Sequence, residues 1–79
     1  LSIVMKFIEL IPEHSIGDVV VFKEQVKNEE ILVQAKILKA TAKLENGTYV
    51  WTYELEHDDL VHYLESVHIV MNVTKSRYN

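Results

Sequence analysis

The residues best suited to chemistry in this chain lie together near its C-terminal third. His57, Asp58, Asp59 and His62 combine imidazole and carboxylate groups within six positions. Those are the side chains that bind zinc, which takes three or four nitrogen or oxygen ligands at about 2.0–2.2 Å. On a helix Asp58 and His62 fall four apart on one face, which makes His57, Asp58 and His62 the set a metal-dependent hydrolase would use. The run lacks the His-Glu-x-x-His signature of a metalloprotease helix, and a capped helix start with solvated charges accounts for the same residues. The expectation is therefore no metal site and no cofactor. Glu54, Glu56 and Glu65 with the four histidines offer acid–base pairs. A proton-transfer catalyst, however, needs a perturbed group in a pocket, and a chain this small has little room for one. No nucleophile elbow, phosphate loop or triad is present, so no catalytic residue is assigned and the chain is read as a non-enzyme.

A second candidate is the aromatic stripe Tyr49, Trp51 and Tyr53, with Lys36, Lys39 and Lys43 nearby. Alternate aromatics on a strand can stack nucleic-acid bases. Eight basic residues against twelve acidic ones give a formal net charge of −4, and Glu45, Glu54 and Glu56 interrupt the lysines. Phosphate binding rests on clustered cations, so nucleic acid is not the expected partner.

The elements that must hold these residues follow from periodicity. The chain has 79 residues, enough for a single domain over 1–79. It has no cysteine, so neither a disulfide nor a thiolate zinc site staples it. No apolar run approaches the ~18 residues of a membrane span, and no signal peptide is visible. A cytoplasmic protein fits these features. Leu1 invites the reading of an alternative start codon written literally, as in a bacterial or phage gene, although trimming explains it equally well.

Residues 2–10 are β-rich and apolar apart from Lys6 and Glu9, and Pro12 should end that strand. Residues 13–18 read as a turn, and Val19–Phe22 as a strand buried on both faces. Asn28-Glu29-Glu30 admits two readings. It caps a helix running to Leu44, or it is the tip of a hairpin. The helix would place Ile31, Ala35, Leu38 and Ala42 on one side and Val33, Ile37, Ala40 and Leu44 on the other, both needing burial.

The hairpin reading makes sharper predictions. Asn46-Gly47 is the sequence a type I′ turn prefers, because both positions need positive φ. With that turn at the tip, Leu44 faces Tyr49, Ala42 faces Trp51, Ala40 faces Tyr53 and Leu38 faces Leu55. On the other face Lys43 meets Val50, Thr41 meets Thr52 and Lys39 meets Glu54, the last two being favourable cross-strand pairs. Upstream the apolar residues Ile31, Val33, Ala35 and Ile37 are odd-numbered. A bulge near Ile37-Leu38 is required to switch faces, and it bends the strand. Asp58 then caps a helix of one to two turns over residues 58–65, with Leu60, Val61 and Leu64 inward. Val67, Ile69, Met71 and Val73 alternate as a last strand.

The segment Ile16-Gly17-Asp18-Val19-Val20-Val21-Phe22, the Asn46-Gly47 turn and the short turn before Val67-His68-Ile69 together resemble an SH3-like small β-barrel over Ile16–Val73. The fold class expected is all-β and mainly antiparallel, a partly open small barrel with one short helix near 58–65. The resemblance implies a binding module, although fold alone does not fix function and the aromatic peptide-binding pattern of true SH3 domains is absent. Apolar excess in strands 2–10 and 67–73, including Val4, Ile8, Leu10 and Val70, points to burial against a partner. The expected role is a non-enzymatic protein-interaction module, a small bacterial or phage regulator or inhibitor, with self-association through strand 2–10. Small nucleic-acid-binding barrels and a metal-dependent hydrolase are the alternatives. Binding residues are sought on loops, at Lys23, Glu24 and Gln25 and at His57, Asp58 and Asp59.

Overall fold

A computed structural model describes residues 11–76, and the strand expected at 2–10, with the self-association assigned to it, lies outside them. Five strands form one sheet: β1 Val19–Val26, β2 Glu29–Glu45, β3 Thr48–His57, β4 Leu60–Glu65 and β5 Ile69–Asn72. Their order is β4-β3-β2-β1-β5, and all four pairings are antiparallel. The protein is thus all-β in class. Among the described residues β4 and β5 are the two ends of the order, and the sheet they bound is not closed.

Of the two readings of residues 29–44, the strand holds. β2 is one strand of 17 residues that pairs with β1 through its first half and with β3 through its second. Asn46 and Gly47 adopt φ of 51° and 80°, the left-handed geometry their types favour. The register below them is as the sequence requires, with Leu44 opposite Tyr49, Ala42 opposite Trp51, Ala40 opposite Tyr53 and Lys39 opposite Glu54. The register then shifts between Ile37 and Lys39, where the parity change demands a bulge. In consequence Leu55 faces Ile37 instead of Leu38, and Leu38 is turned out to solvent.

The bulge lets one strand feed a single core from both halves. Val20 and Phe22 of β1, Val33, Ala35 and Ile37 of β2, and Tyr53 and Leu55 of β3 are buried together, with Ala40, Trp51, Leu64 and Ile69 packed on them. β1 therefore buries one face, at Val20 and Phe22, while Val19 and Val21 stay half-buried. The apolar Leu44 lies beyond the core near the hairpin tip and is exposed.

The helix expected over 58–65 is a strand. Asp58 and Asp59 have φ of 53° and 63°, so they are the central pair of a tight turn and not a helix cap. Leu60–Glu65 pairs along β3, from His57 opposite Leu60 to Thr52 opposite Glu65. The one short helical turn before the last strand is a 3-10 turn at Ser66–His68. Val67 is therefore exposed rather than part of the last strand, which runs only from Ile69 to Asn72. A four-residue helix, α1 (Val73–Ser76), follows.

A dense polar network fastens the segment before β1 to the chain's end. His14 and Asp18, both buried, meet Asn72 from β5. The Asn72 side-chain amide donates to Asp18 Oδ2 at 2.8 Å and contacts His14 Nδ1 at 2.9 Å, so its two hydrogens are used and the imidazole accepts. Asp18 Oδ2 also accepts from the Ser15 backbone N–H at 2.9 Å and faces Lys75 Nζ at 3.5 Å. The His14 backbone N–H donates to the Tyr53 hydroxyl at 3.2 Å, and the two rings meet edge to face. Val19 N–H donates to Thr74 Oγ1 at 2.8 Å, while Gly17 N–H and Ile37 N–H exchange bonds with Ile37 and Asp18 carbonyls at 2.8 Å each. These bonds satisfy polar groups that would otherwise be costly inside a small core.

Candidate functional site

The curvature of β2 brings β1 across the inner face of β3 and β4 at the end where their hairpins turn. The β1–β2 turn is Lys27-Asn28, with φ of 50° and 67°, and the β3–β4 turn is Asp58-Asp59. Just below these tips three side chains converge: Glu24 from β1, His57 from the end of β3, and His62 from β4. One ligand atom from each lies within 4.8 Å of the other two.

Each residue arrives by strand alternation. Phe22 is buried, so Glu24, two residues on, points the same way. Likewise Leu55 is buried and His57 follows it by two, while His62 stands opposite Leu55 on β4. The three are in effect the rim of the core, polar residues on the apolar face where burial becomes partial. Their side chains are 22%, 30% and 19% exposed for Glu24, His57 and His62.

Glu24 Oε2 lies 3.8 Å from His57 Nδ1, and Glu24 Oε1 lies 3.8 Å from His62 Nε2. Both separations are too long for hydrogen bonds. His62 Nε2 is buried and no protein group among the described residues hydrogen-bonds to it, the one side-chain atom there of which this is so. Its ring is held against Phe22 at a centroid distance of 5.2 Å. A carboxylate flanked by two imidazoles can do two things here. It can share a proton with either ring, or the three can ligate one cation.

The sequence-predicted residues divide sharply. Glu24 and His57, nominated as loop residues for a partner, are brought together, but on strands and facing inward. Lys23 and Gln25 alternate to the other face and are exposed, with Lys23 in an ion pair to Glu30 at 3.5 Å. Asp58 Oδ2 lies 3.5 Å from His57 Nδ1, but its side chain is 84% exposed and it is outside the three-residue cluster. Asp59 is exposed at the turn. The Asp58–His62 pairing expected from a helix does not form, because no helix exists there. Glu24 as the third member was missed, since only the bend at Leu38 carries β1 over β3 and β4. The signal that was available is the inward parity shared by Phe22 and Glu24.

The aromatic stripe is core at one end. Tyr53 is fully buried and Trp51 and Tyr49 are half-buried, so Tyr53 offers no face for base stacking. No helix among the described residues is long and apolar enough to cross a membrane. No protein-family model, no curated protein and no solved structure matches the chain.

Proposed function

We propose that the chain is a non-enzymatic protein-interaction module of SH3-like small-barrel type, a cytoplasmic bacterial or phage regulator or inhibitor, whose partner adds a strand to the outer edge of β4. The element order supports the barrel reading. Four strands in a meander are followed by a 3-10 turn and a fifth strand that returns to pair with β1.

The observation that carries the binding proposal is the state of β4. Among the described residues it is an end strand of six residues on which Leu60, Val61 and Tyr63 are all exposed, at 60%, 49% and 66%. An edge strand presents unpaired N–H and C=O groups and is normally protected by lysine, proline or a bulge. β4 carries no lysine or proline, and its register against β3 is uninterrupted. Strand addition uses such an edge for backbone bonds and lets alternate side chains set specificity. The surroundings define the partner's chemistry. Glu56 on β3, Glu65 on β4 and the Asp58-Asp59 turn are acidic, whereas Glu54 is matched by Lys39 opposite it on β2, so a partner strand mixing apolar and basic residues fits best toward the turn.

The test is affinity purification from the source cells with wild-type chain, Val61→Lys and Tyr63→Lys. Proteins retained by the wild type should be lost with both variants, while thermal stability stays within about 0.5 kcal/mol, as expected for exposed positions. Retention of the same proteins by both variants would refute the β4 assignment.

A further inference from the structure

We propose that Glu24, His57 and His62 bind one divalent transition-metal ion, zinc being the best match, through Glu24 carboxylate oxygen, His57 Nδ1 and His62 Nε2. Two imidazoles and a carboxylate are a donor set for zinc and for other first-row ions. The geometry is close to what binding requires. Bonds of about 2.0–2.1 Å in a tetrahedral shell separate neighbouring ligand atoms by roughly 3.3 Å. Here both histidine–glutamate separations are 3.8 Å and none exceeds 4.8 Å, so side-chain rotations that draw the atoms in by about an ångström bring all three donors to bonding distance of one ion.

The unsatisfied atom argues independently. His62 Nε2 is buried, and the Glu24 Oε1 that faces it lies at 3.8 Å, a non-bonding distance. Buried polar atoms without partners are rare in native proteins, and a bound ion or water is a usual partner where the protein itself supplies none. A cation between Nε2 and the carboxylate satisfies the lone pair and neutralises Glu24 at once. The ring against Phe22 then orients the nitrogen inward.

The strands involved give the ion a structural consequence. Glu24 belongs to β1, whereas His57 and His62 belong to β3 and β4, which are separated from β1 in the sheet by β2. An ion bound by all three clamps the two halves of the bent sheet together across its inner face, at the end distant from the His14–Asp18–Asn72 network. Three protein ligands leave a coordination position for water or for a donor from outside the chain. The proposal is separate from strand addition at β4, since it uses the His62 side chain and not the backbone edge of that strand.

The experiment adds Zn²⁺ and Co²⁺ to metal-free full-length chain. One equivalent of Co²⁺ should give the visible absorption of a low-symmetry site, and Zn²⁺ should displace it. Zinc at a hundredfold excess over its dissociation constant should raise the melting temperature by on the order of 10 °C. Glu24→Gln, His57→Gln and His62→Gln should each weaken binding by roughly 10–100-fold or more, whereas His68→Gln, outside the cluster, should not. Because an inward substitution can unfold so small a domain, zinc is also titrated into wild-type chain by NMR. The ring signals of His57 and His62 should move together, with those of His14 and His68 unchanged. Absence of cobalt absorption, an equal zinc effect in wild type and His57→Gln, or movement of the His14 or His68 signals in place of His57 and His62 would each overturn the site.

Discussion

Two polar clusters flank the same core, and they are built on opposite principles. Around His14, Asp18 and Asn72 the side-chain contacts fall between 2.8 and 2.9 Å, and the Asn72 amide lies between the two other groups. Around Glu24, His57 and His62 the contacts are 3.8 Å, and a buried nitrogen goes unpaired. Both use histidine and a carboxylate, so residue type does not distinguish them. Geometry does: a completed network holds the fold, whereas an incomplete one awaits something. With seven buried core residues among those described, an unsatisfied rim costs a noticeable share of the stability margin.

The largest expected effect tests the completed network. Asn72→Ala removes the donor to both His14 Nδ1 and Asp18 Oδ2. It leaves buried acceptors short of partners, and the loss should be about 2–3 kcal/mol. Urea unfolding measures it. If the same change costs less than His62→Ala, the division between a load carried at one cluster and not the other is wrong.

The pH dependence follows from the same network. His14 has its pKa lowered below 6.5, first by burial, with Lys75 adding to it and Glu13 and Asp18 opposing. For Asp18 burial acts upward, but the Ser15 amide, the Asn72 amide and Lys75 outweigh it and hold the carboxyl below 3.8. Both groups bind protons more readily in the unfolded chain, so both contribute stability that acid removes. His14's contribution is complete above about pH 6.5 and declines as the pH falls from there through its folded pKa. Asp18's is complete above about 3.8 and is lost below it. Melting temperature against pH should therefore step down twice on acidification, with the first step weakened in His14→Gln. A melting temperature that rises between pH 7 and 5 would contradict this assignment.

How far the sequence revealed these clusters differs for physical reasons. The Asn46-Gly47 hairpin was legible because few dipeptides accept positive φ twice, and alanines opposite aromatic rings fixed its register. The bulge was legible because parity cannot change without one. The β3–β4 hairpin was not, since Asp58-Asp59 reaches left-handed φ without glycine and reads equally well as a helix cap. His62 disguised β4 further, being a polar residue at an inward position between Leu60 and Leu64. His14 and Asp18 looked like ordinary loop residues. Their partners are more than fifty positions away in sequence, and only closure of β5 on β1 joins them.

A weaker effect examines the incomplete cluster directly. In metal-free protein His62→Phe removes the unpaired nitrogen and extends the ring contact with Phe22. Removing an unsatisfied buried group while preserving shape is neutral or stabilising, so stability should be unchanged or rise by up to about 1 kcal/mol. With saturating zinc the order should invert, because only wild type gains from the ion. A loss above about 1 kcal/mol in metal-free Phe variant would mean that His62 already has a partner in solution, and the contrast between the clusters would disappear.

The smallest effect concerns how the incomplete cluster is held. The Asp58-Asp59 turn sets the spacing between His57 and His62, yet it does so with two non-glycine residues at φ of 53° and 63°. Left-handed geometry costs an ordinary residue roughly 1–2 kcal/mol and aspartate less. Asp59→Gly relieves that strain but frees the unfolded chain, and the two effects leave a net gain of a few tenths of a kcal/mol. Gly47 provides the converse. A Cβ there meets nothing within 4 Å, so Gly47→Ala at φ of 80° is penalised by backbone strain alone, by about 1 kcal/mol. Paired thermal melts of the two variants should move in opposite directions. A loss of stability in Asp59→Gly would show that the Asp59 side chain, and not merely its backbone, supports the turn that keeps the two histidines in reach of Glu24.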